Sequence, residues 1–179
     1  MSKLKNMNEE KKGEEKENII IGKISIARGS PLRLRIINSF ENVKKEEPKI
    51  FNEIKSKNNE EEIKNCEIFI NGNKIDFNYY YNFPGKGIYI IKYKFKKLTS
   101  ASFMFFNCYS LESLDFSNFN TQNITNMEGM FKNCNSLKSL NLSTFSTQKV
   151  TNMGYMFYDC QSLKSIDLSN FYTQKVTNM

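Results

Sequence analysis

Three cysteines recur at intervals of 26 residues and are the first side chains to test for chemistry: Cys108, Cys134 and Cys160. A metal site needs ligands that converge on one point. Residues one repeat apart are instead expected to form a ladder, about 4.8 Å apart on neighbouring strands. Such a ladder does not offer the geometry of a disulfide either. We therefore interpret these thiols, and the separate Cys66, as small apolar fillers of the core.

The sequence patterns of common catalytic sites are missing. The 179-residue sequence has no His, which removes the commonest general base and the commonest zinc ligand. It also has no nucleophile elbow, no paired carboxylates and no metal-ligand cluster. The segment FPGKG at 83–87 lacks the spacing of a P-loop and precedes a predicted strand. We therefore expect no enzymatic activity and assign no catalytic residue, cofactor or metal.

Basic side chains are concentrated in one part of the chain. The net charge is +7, and residues 18–97 carry the whole excess, with 16 basic and 9 acidic side chains. Within this region KYKFKK places alternate lysines on one face of a predicted strand: Lys92, Lys94 and Lys96. Such a face could contact nucleic acid or a phospholipid head group. We favour a solvated strand edge that lysines protect from aggregation, because no nucleic-acid-binding motif accompanies the charge.

A 26-residue sequence repeat occurs three times, in units that begin at Met104, Met130 and Met156. The middle unit contains Leu137, Leu140 and Leu142 as L-x-x-L-x-L, the core pattern of a leucine-rich repeat. Alternation at the last two leucines indicates a strand. The later apolar residues, from Val150 to Phe157, have spacings that suit helical or 3₁₀ turns. One unit cannot bury its own apolar face, whereas stacked units cover each other.

The phrases NMEGMFKNCNSLKSLNLSTF and NMGYMFYDCQSLKSIDLSNF resemble BspA-like leucine-rich repeats, the 26-residue type found in surface proteins and often catalogued as a domain of unknown function. The resemblance covers about residues 98–179. It implies a right-handed solenoid of parallel strands, in proteins that bind other proteins or mediate adhesion. In place of the usual buried Asn stand Phe119, Phe145 and Phe171, which predicts an aromatic stack.

The predicted fold is therefore a leucine-rich-repeat-like solenoid of parallel strands and short helical segments, preceded by a small β-rich region that acts partly as a cap. A shift of 52 residues aligns Ile88 and Ile90 with Leu140 and Leu142, so strand 88–95 is expected to continue the repeat sheet. The predicted segments are a disordered charged tail (1–18), a small β-rich region of unknown role (19–65), N-terminal cap strands (66–97) and leucine-rich repeats (98–179).

The C-terminal end of the repeats shows no cap in the sequence. We therefore expect an incomplete repeat array, with further repeats or another cover at that end. Two polar columns are interpreted as structural. Thr121 and Thr147 are expected to satisfy loop backbone groups, and Asn126 and Asn152 to cap helix starts.

The exposed columns of the repeat strands are the candidate surface for a partner. They contain no aromatic anchor of the kind that dominates tight interfaces, and the alternative is that they are solvated positions that favour solubility. The candidate positions are Glu112, Ser113, Asp115, Ser117, Lys138, Ser139, Asn141, Ser143, Lys164, Ser165, Asp167 and Ser169.

These observations favour a non-enzymatic protein–protein interaction module, acting as a scaffold or in recognition, with a protein partner of unknown identity. One alternative is a cell-surface adhesion protein, if a signal is missing from the chain. Another is binding of an anionic partner, nucleic acid or phospholipid, through residues 18–97, although we do not expect nucleic acid. No apolar run reaches the roughly 20 residues of a membrane-spanning helix. No signal peptide is evident, so we predict a cytoplasmic location, with the cell surface possible by the resemblance.

Overall fold

A mixed six-stranded β-sheet organises the part of the chain that the computed structural model describes, residues 18–51 and 58–179. The sheet order is β4-β3-β6-β1-β7-β8, and β2 pairs with β5 in a separate two-stranded sheet. Only the pairing of β7 with β8 is parallel among these strand pairs. The strands are β1 (Asn18–Ile26), β2 (Arg33–Arg35), β3 (Glu67–Ile70), β4 (Asn73–Ile75), β5 (Tyr80–Asn82), β6 (Gly87–Phe95), β7 (Leu111–Asn118) and β8 (Ser139–Asn141).

The described helices are short and precede the repeats. They are α1 (Phe40–Glu46), a 3₁₀ helix (Pro48–Phe51) and α2 (Glu60–Lys64). Ser39 caps α1, because its hydroxyl accepts a hydrogen bond from the amide of Asn42 at 3.2 Å.

Strand β1 holds the two halves of the chain together. It pairs with β6 on one side and with β7 on the other, antiparallel in both cases. Its buried residues alternate, with Ile20 and Ile24 fully buried. At Gly22 between them, a Cβ atom would lie 3.2 Å from a methyl of Leu111 and 3.3 Å from the ring of Tyr93. Glycine therefore permits this close approach of three strands.

The predicted fold class is wrong. The described residues 98–179 contain no helix, and the main sheet is mixed rather than a stack of parallel strands, which makes this a β-rich domain and not a solenoid of strands and helices. The segment predicted as helical turns, from Val150 to Phe157, forms hydrogen-bonded turns instead. Two positions in each unit have left-handed backbone, which a continuous helix does not allow. Their φ angles are 56–57° at Phe103, Gly129 and Tyr155 and 57–62° at Asn107, Asn133 and Asp159.

These turns stack on each other at the interval of the sequence repeat, and we call the stack the turn column (residues 100–107, 126–133 and 152–159). Alternate amides in one turn segment donate to carbonyl groups in the next. Phe105 donates to Met130 at 2.9 Å, and Phe131 donates to Met156 at 3.0 Å. The repeat length thus appears in the structure as hydrogen bonds between residues 25 positions apart.

Aromatic rings fill the interior of the turn column. Phe105, Phe131 and Phe157 stack nearly parallel, with ring centres 6.1 and 5.7 Å apart. The aromatic stack predicted for Phe119, Phe145 and Phe171 forms only in part. Phe145 and Phe171 stack at 6.0 Å, whereas Phe119 meets Phe116 edge to face.

Strand β6 does not continue the repeat sheet in the predicted register. Ile88 and Ile90, aligned with inward-facing leucines in the sequence, are 61% and 43% exposed. The buried side chains of β6 are those between and after them, including Tyr89 and Ile91. The predicted division into segments 19–65, 66–97 and 98–179 stays a prediction, although strands from all three share one sheet. The predicted charged tail lies outside the described residues except for Asn18.

Two buried asparagines close the first turn segment. The carbonyls of Ser100 and Ser102 accept hydrogen bonds from the side-chain amide of Asn59 at 3.0 and 2.9 Å. Asn38 donates through its backbone amide to Met104 at 2.7 Å and through its side chain to Phe106 at 3.1 Å. In the later units the equivalent carbonyls accept from the preceding turn segment. Asn38 and Asn59 therefore supply the hydrogen-bond donors that a preceding turn segment supplies to the later units.

Replacing Asn59 with Ala should destabilise the fold by roughly 2–4 kcal/mol, because it removes the side-chain amide that donates to two buried carbonyls. The side chain also accepts from the amide of Phe40 at 2.9 Å. Asn59→Asp keeps that acceptor and removes the donors, so it should be at least as damaging. The matched control is Asn58→Ala, which removes one exposed bond to the amide of Glu60 and should cost under about 1 kcal/mol. Urea unfolding measures all three, and equal losses at Asn58 and Asn59 would refute the capping role.

Replacing Gly129 with Ala should also destabilise the fold, by about 2–4 kcal/mol, from left-handed strain and overpacking together. Its φ is +56°, and a Cβ atom would lie 2.5 Å from the ring of Phe103, which is fully buried. Gly29→Ala is the matched control, because φ there is +83° but nothing lies within 4 Å of the added atom. That control should cost only about 1 kcal/mol. Similar losses for both variants in urea unfolding would contradict the tight contact.

Candidate functional site

None of the twelve candidate positions is buried. Half-buried residues are Glu112, Ser113 and Ser117, and exposed ones are Asp115, Lys138, Ser139, Asn141, Ser143, Lys164, Ser165, Asp167 and Ser169. The parallel pairing of β7 with β8 sets Ser113 beside Ser139 and Asp115 beside Asn141. The corresponding residues 165–167 of the last unit are not in a strand.

Several of these side chains bond to each other. Glu112 accepts hydrogen bonds from the hydroxyl of Ser25 at 2.7 Å and from the ammonium of Lys138 at 2.9 Å, and these bonds lower the pKa of its carboxyl group. Asn141 donates to Asp115 at 2.9 Å. The face is therefore partly satisfied within the chain, and its role in binding a partner stays a prediction.

Of the repeated cysteines, Cys108 and Cys134 are buried and Cys160 is half-buried. The thiols of Cys134 and Cys160 donate to the carbonyls of Phe105 and Phe131, both at 3.1 Å. Burial raises the pKa of Cys108 to about 12 and that of Cys160 to about 11, which disfavours the reactive thiolate. Among residues 18–51 and 58–179, no group of three or more His, Cys, Asp or Glu side chains could hold a metal ion.

Of the predictions for the two polar columns, one is confirmed and one is wrong. Thr121 and Thr147 are confirmed as partners of loop backbone, since their hydroxyl oxygens accept from the amides of Ser146 and Tyr172, both at 2.7 Å. The prediction that the Asn126 and Asn152 column caps helices is wrong, because no helix follows. These asparagines form parallel β-bridges with each other. Their side chains accept from amides two residues later, which stabilises the turns.

Lys92 and Lys94 lie as predicted on one side of β6, opposite buried Tyr93 and Phe95, whereas Lys96 follows the end of the strand. The interpretation as a protected edge is wrong, because β6 pairs with β1 and β3 and lies inside the sheet. The ammonium of Lys92 lies 4.9 Å from the ring centre of Phe69 on the neighbouring strand.

A cleft of about 690 Å³ lies beside the repeats and was not predicted. Its walls include Arg33 and Arg35 of β2, Tyr80 of β5, the end of α1 at Glu46, and Tyr109 before β7. The guanidinium carbons of the two arginines lie 4.2 and 4.3 Å from the ring centre of Tyr80. The sequence held a signal, since alternating arginines in LRLR share one side of a strand. It did not show which aromatic ring they would meet.

The last unit presents an apolar surface, exposed at Tyr155, Tyr158 and Met179. We call it the end surface, and the residues that line it are Met153, Tyr155, Met156, Phe157, Tyr158, Leu168, Phe171 and Met179. It contains a recess of about 320 Å³. Tyr155 and Tyr158 are 54% and 57% exposed, and the ammonium of Lys132 lies 4.9 and 5.0 Å from their ring centres. The sequence indicated an uncovered apolar end, but not that two tyrosines and a lysine would border it.

Unpaired amides accompany this surface. In the middle unit the amides of Gly129, Phe131 and Asn133 donate to carbonyls of the last unit at 2.9, 3.0 and 2.8 Å. The equivalent amides of Tyr155, Phe157 and Asp159 have no hydrogen-bond acceptor among the residues that the structure describes. The end surface thus combines apolar side chains with three unused backbone donors.

A match to a known family covers the C-terminal part of the chain. A family model described as "Mycoplasma protein of unknown function, DUF285" matches residues 76–179, more than half of the chain. The chain belongs to this family. The matched region begins just before β5 and includes β6, the turn column and the end surface. No curated protein and no solved structure matches the chain.

The described helices do not include one with the length and apolar character needed to cross a membrane. The longest of them, α1, has seven residues.

Proposed function

We propose that the protein is a non-enzymatic protein-binding module and that the end surface is its principal contact. The observation that carries the proposal is the coincidence of apolar side chains and unused backbone donors in one place. Exposed apolar patches bordered by polar residues mark interaction sites. Tyrosine, phenylalanine and methionine are also enriched in protein interfaces.

The end surface fits a specific occupant: an extended segment, either a further repeat or a stretch of another protein, that adds to the turn column as a strand adds to a sheet edge. The segment's carbonyl groups would accept from Tyr155, Phe157 and Asp159. Its apolar side chains would fill the recess beside Leu168 and Phe171. The polar residues Asp167 and Ser169, which flank Leu168 in the chain, would belong to the rim.

The repeat phrase supports a narrower assignment. We propose that the units are of the BspA-like type, whose members bind proteins or mediate adhesion. The protein could act in scaffolding or recognition inside the cell, or in adhesion at the cell surface. The cytoplasmic location stays a prediction. Binding of an anionic partner through residues 18–97 remains an alternative; it would weaken steeply with added salt, whereas an apolar contact would not.

A site-specific photo-crosslinker tests the proposed surface. We would place p-benzoylphenylalanine at Tyr158 on the end surface, at Ser143 on the strand face, and at Tyr172 as the matched control. Tyr172 and Tyr158 are similarly exposed, at 56% and 57%, but Tyr172 does not line the end surface. In cells of the source organism, Tyr158 should give a defined adduct in which the same partner peptide recurs.

The adduct at Tyr158 should disappear when Leu168→Asp is added, because a carboxylate would enter the apolar recess. Adducts from Ser143 alone would move the contact to the strand face and contradict the end surface. Equal adducts at Tyr158 and Tyr172 would show only random collision, and would also contradict the proposal.

A further inference from the structure

We propose that the cleft beside β2 binds an oxyanion, the carboxylate or phosphate group of a small molecule, with Arg33 and Arg35 as the recognising cations. This site is separate from the end surface and does not depend on the proposed protein contact. Arginine presents donors in a planar fork that matches the oxygens of carboxylates and phosphates.

The first observation is a buried, incompletely paired guanidinium. Arg35 lines the cleft and is only 8% exposed. Its Nη2 atom donates to Glu46 at 2.5 Å and also to the hydroxyl of Tyr80. Its Nη1 atom is buried and has no hydrogen-bond partner in the described part of the chain. A buried donor without an acceptor is unfavourable, more so on a charged group, and a ligand oxygen would remove that penalty.

The second observation is an additional positive charge beside the first. Arg33 is exposed, lies two residues away on the same side of β2, and forms no ion pair with the described residues. Both guanidinium groups lie over the ring of Tyr80. The two guanidinium groups therefore share one aromatic ring. The carboxylate of Glu46 offsets part of the repulsion between them.

The remaining carboxylates of the cleft are already engaged. Glu47 accepts from the side-chain amide of Asn107 at 2.6 Å. Glu112 accepts from Ser25 and Lys138, and Lys23 lies 3.6 Å from it. Glu112 is therefore paired with lysines, whereas Glu47 bonds to a neutral amide and keeps its negative charge. Neither of these carboxylates forms an ion pair with Arg33 among the described residues.

The cleft suits a small molecule rather than a flat macromolecular contact. Its volume of about 690 Å³ falls within the roughly 300–1,000 Å³ of typical ligand pockets. Hydroxyl groups of Ser30, Ser110 and Tyr109 line it and could bond to the rest of such a ligand. A ligand that carries an oxyanion and further polar groups therefore fits the lining.

The test is a titration of the full chain with inorganic phosphate and, separately, with succinate, followed by amide chemical shifts in NMR spectra. Chloride at the same ionic strength is the reference. We expect saturable shifts at residues that line the cleft, such as Ser30 and Tyr80. Saturation by phosphate alone supports the site and assigns a phosphate ligand, and saturation by succinate alone supports it and assigns a carboxylate ligand.

Variants decide whether the arginines are responsible. Arg33→Gln should weaken binding at least about tenfold, the loss expected for one charge-assisted hydrogen bond. Arg28→Gln is the matched control, because Arg28 is exposed and does not line the cleft; it should leave affinity unchanged. Glu46→Gln should tighten binding by about threefold or more, since Glu46 competes for Arg35. Each variant must keep the remaining amide shifts of the folded protein.

The proposal is overturned if neither phosphate nor succinate gives saturable shifts beyond those of chloride. It is also overturned if Arg33→Gln and Arg28→Gln weaken binding equally, because the shifts would then report general attraction to a basic protein. A weaker affinity in Glu46→Gln would contradict the role assigned to Arg35.

Discussion

The turn column imposes one requirement on everything around it: every buried carbonyl at its first end needs a donor. Within the column that donor is the amide of the preceding unit. At the first unit the donors come from Asn38 and Asn59, which lie far away in the sequence. Their placement depends on α1 and α2, whose residues Phe40 and Ile63 are buried. The N-terminal half is thus organised by the backbone chemistry of the repeats.

The two ends of the column differ because the backbone has a direction. The first end presents acceptors and is closed by the side-chain amides of Asn38 and Asn59 and the backbone amide of Asn38, whereas the last end exposes donors at Tyr155, Phe157 and Asp159. A second copy meeting end to end would face donors with donors along this edge, which is unfavourable. The matching surface is a segment that offers carbonyls, and the proposed partner follows from this polarity. The cleft at Arg35 arises separately, where β2 and β5 pack beside the column.

The sequence predicted the features that repeat and missed those that depend on contacts distant in the chain. The 26-residue period, the outward side of residues such as Asn141 and the burial of Cys108 and Cys134 all follow from local pattern. The helical segments were wrong because spacing alone does not show a left-handed residue at Tyr155, where tyrosine rarely adopts that backbone. The insertion of β1 between β6 and β7, the capping by Asn59 and the pairing of Arg35 with Tyr80 join residues about 40 to 100 positions apart.

Native-state amide hydrogen exchange tests the account most directly, through three residues that are equivalent in the repeat. The amides of Phe105 and Phe131 donate to the next unit at 2.9 and 3.0 Å, and both should exchange slowly. The amide of Phe157 has no acceptor in the described structure and should exchange much faster. Similar protection at all three positions in the isolated monomer would contradict both the direction of the column and the open donors of the end surface.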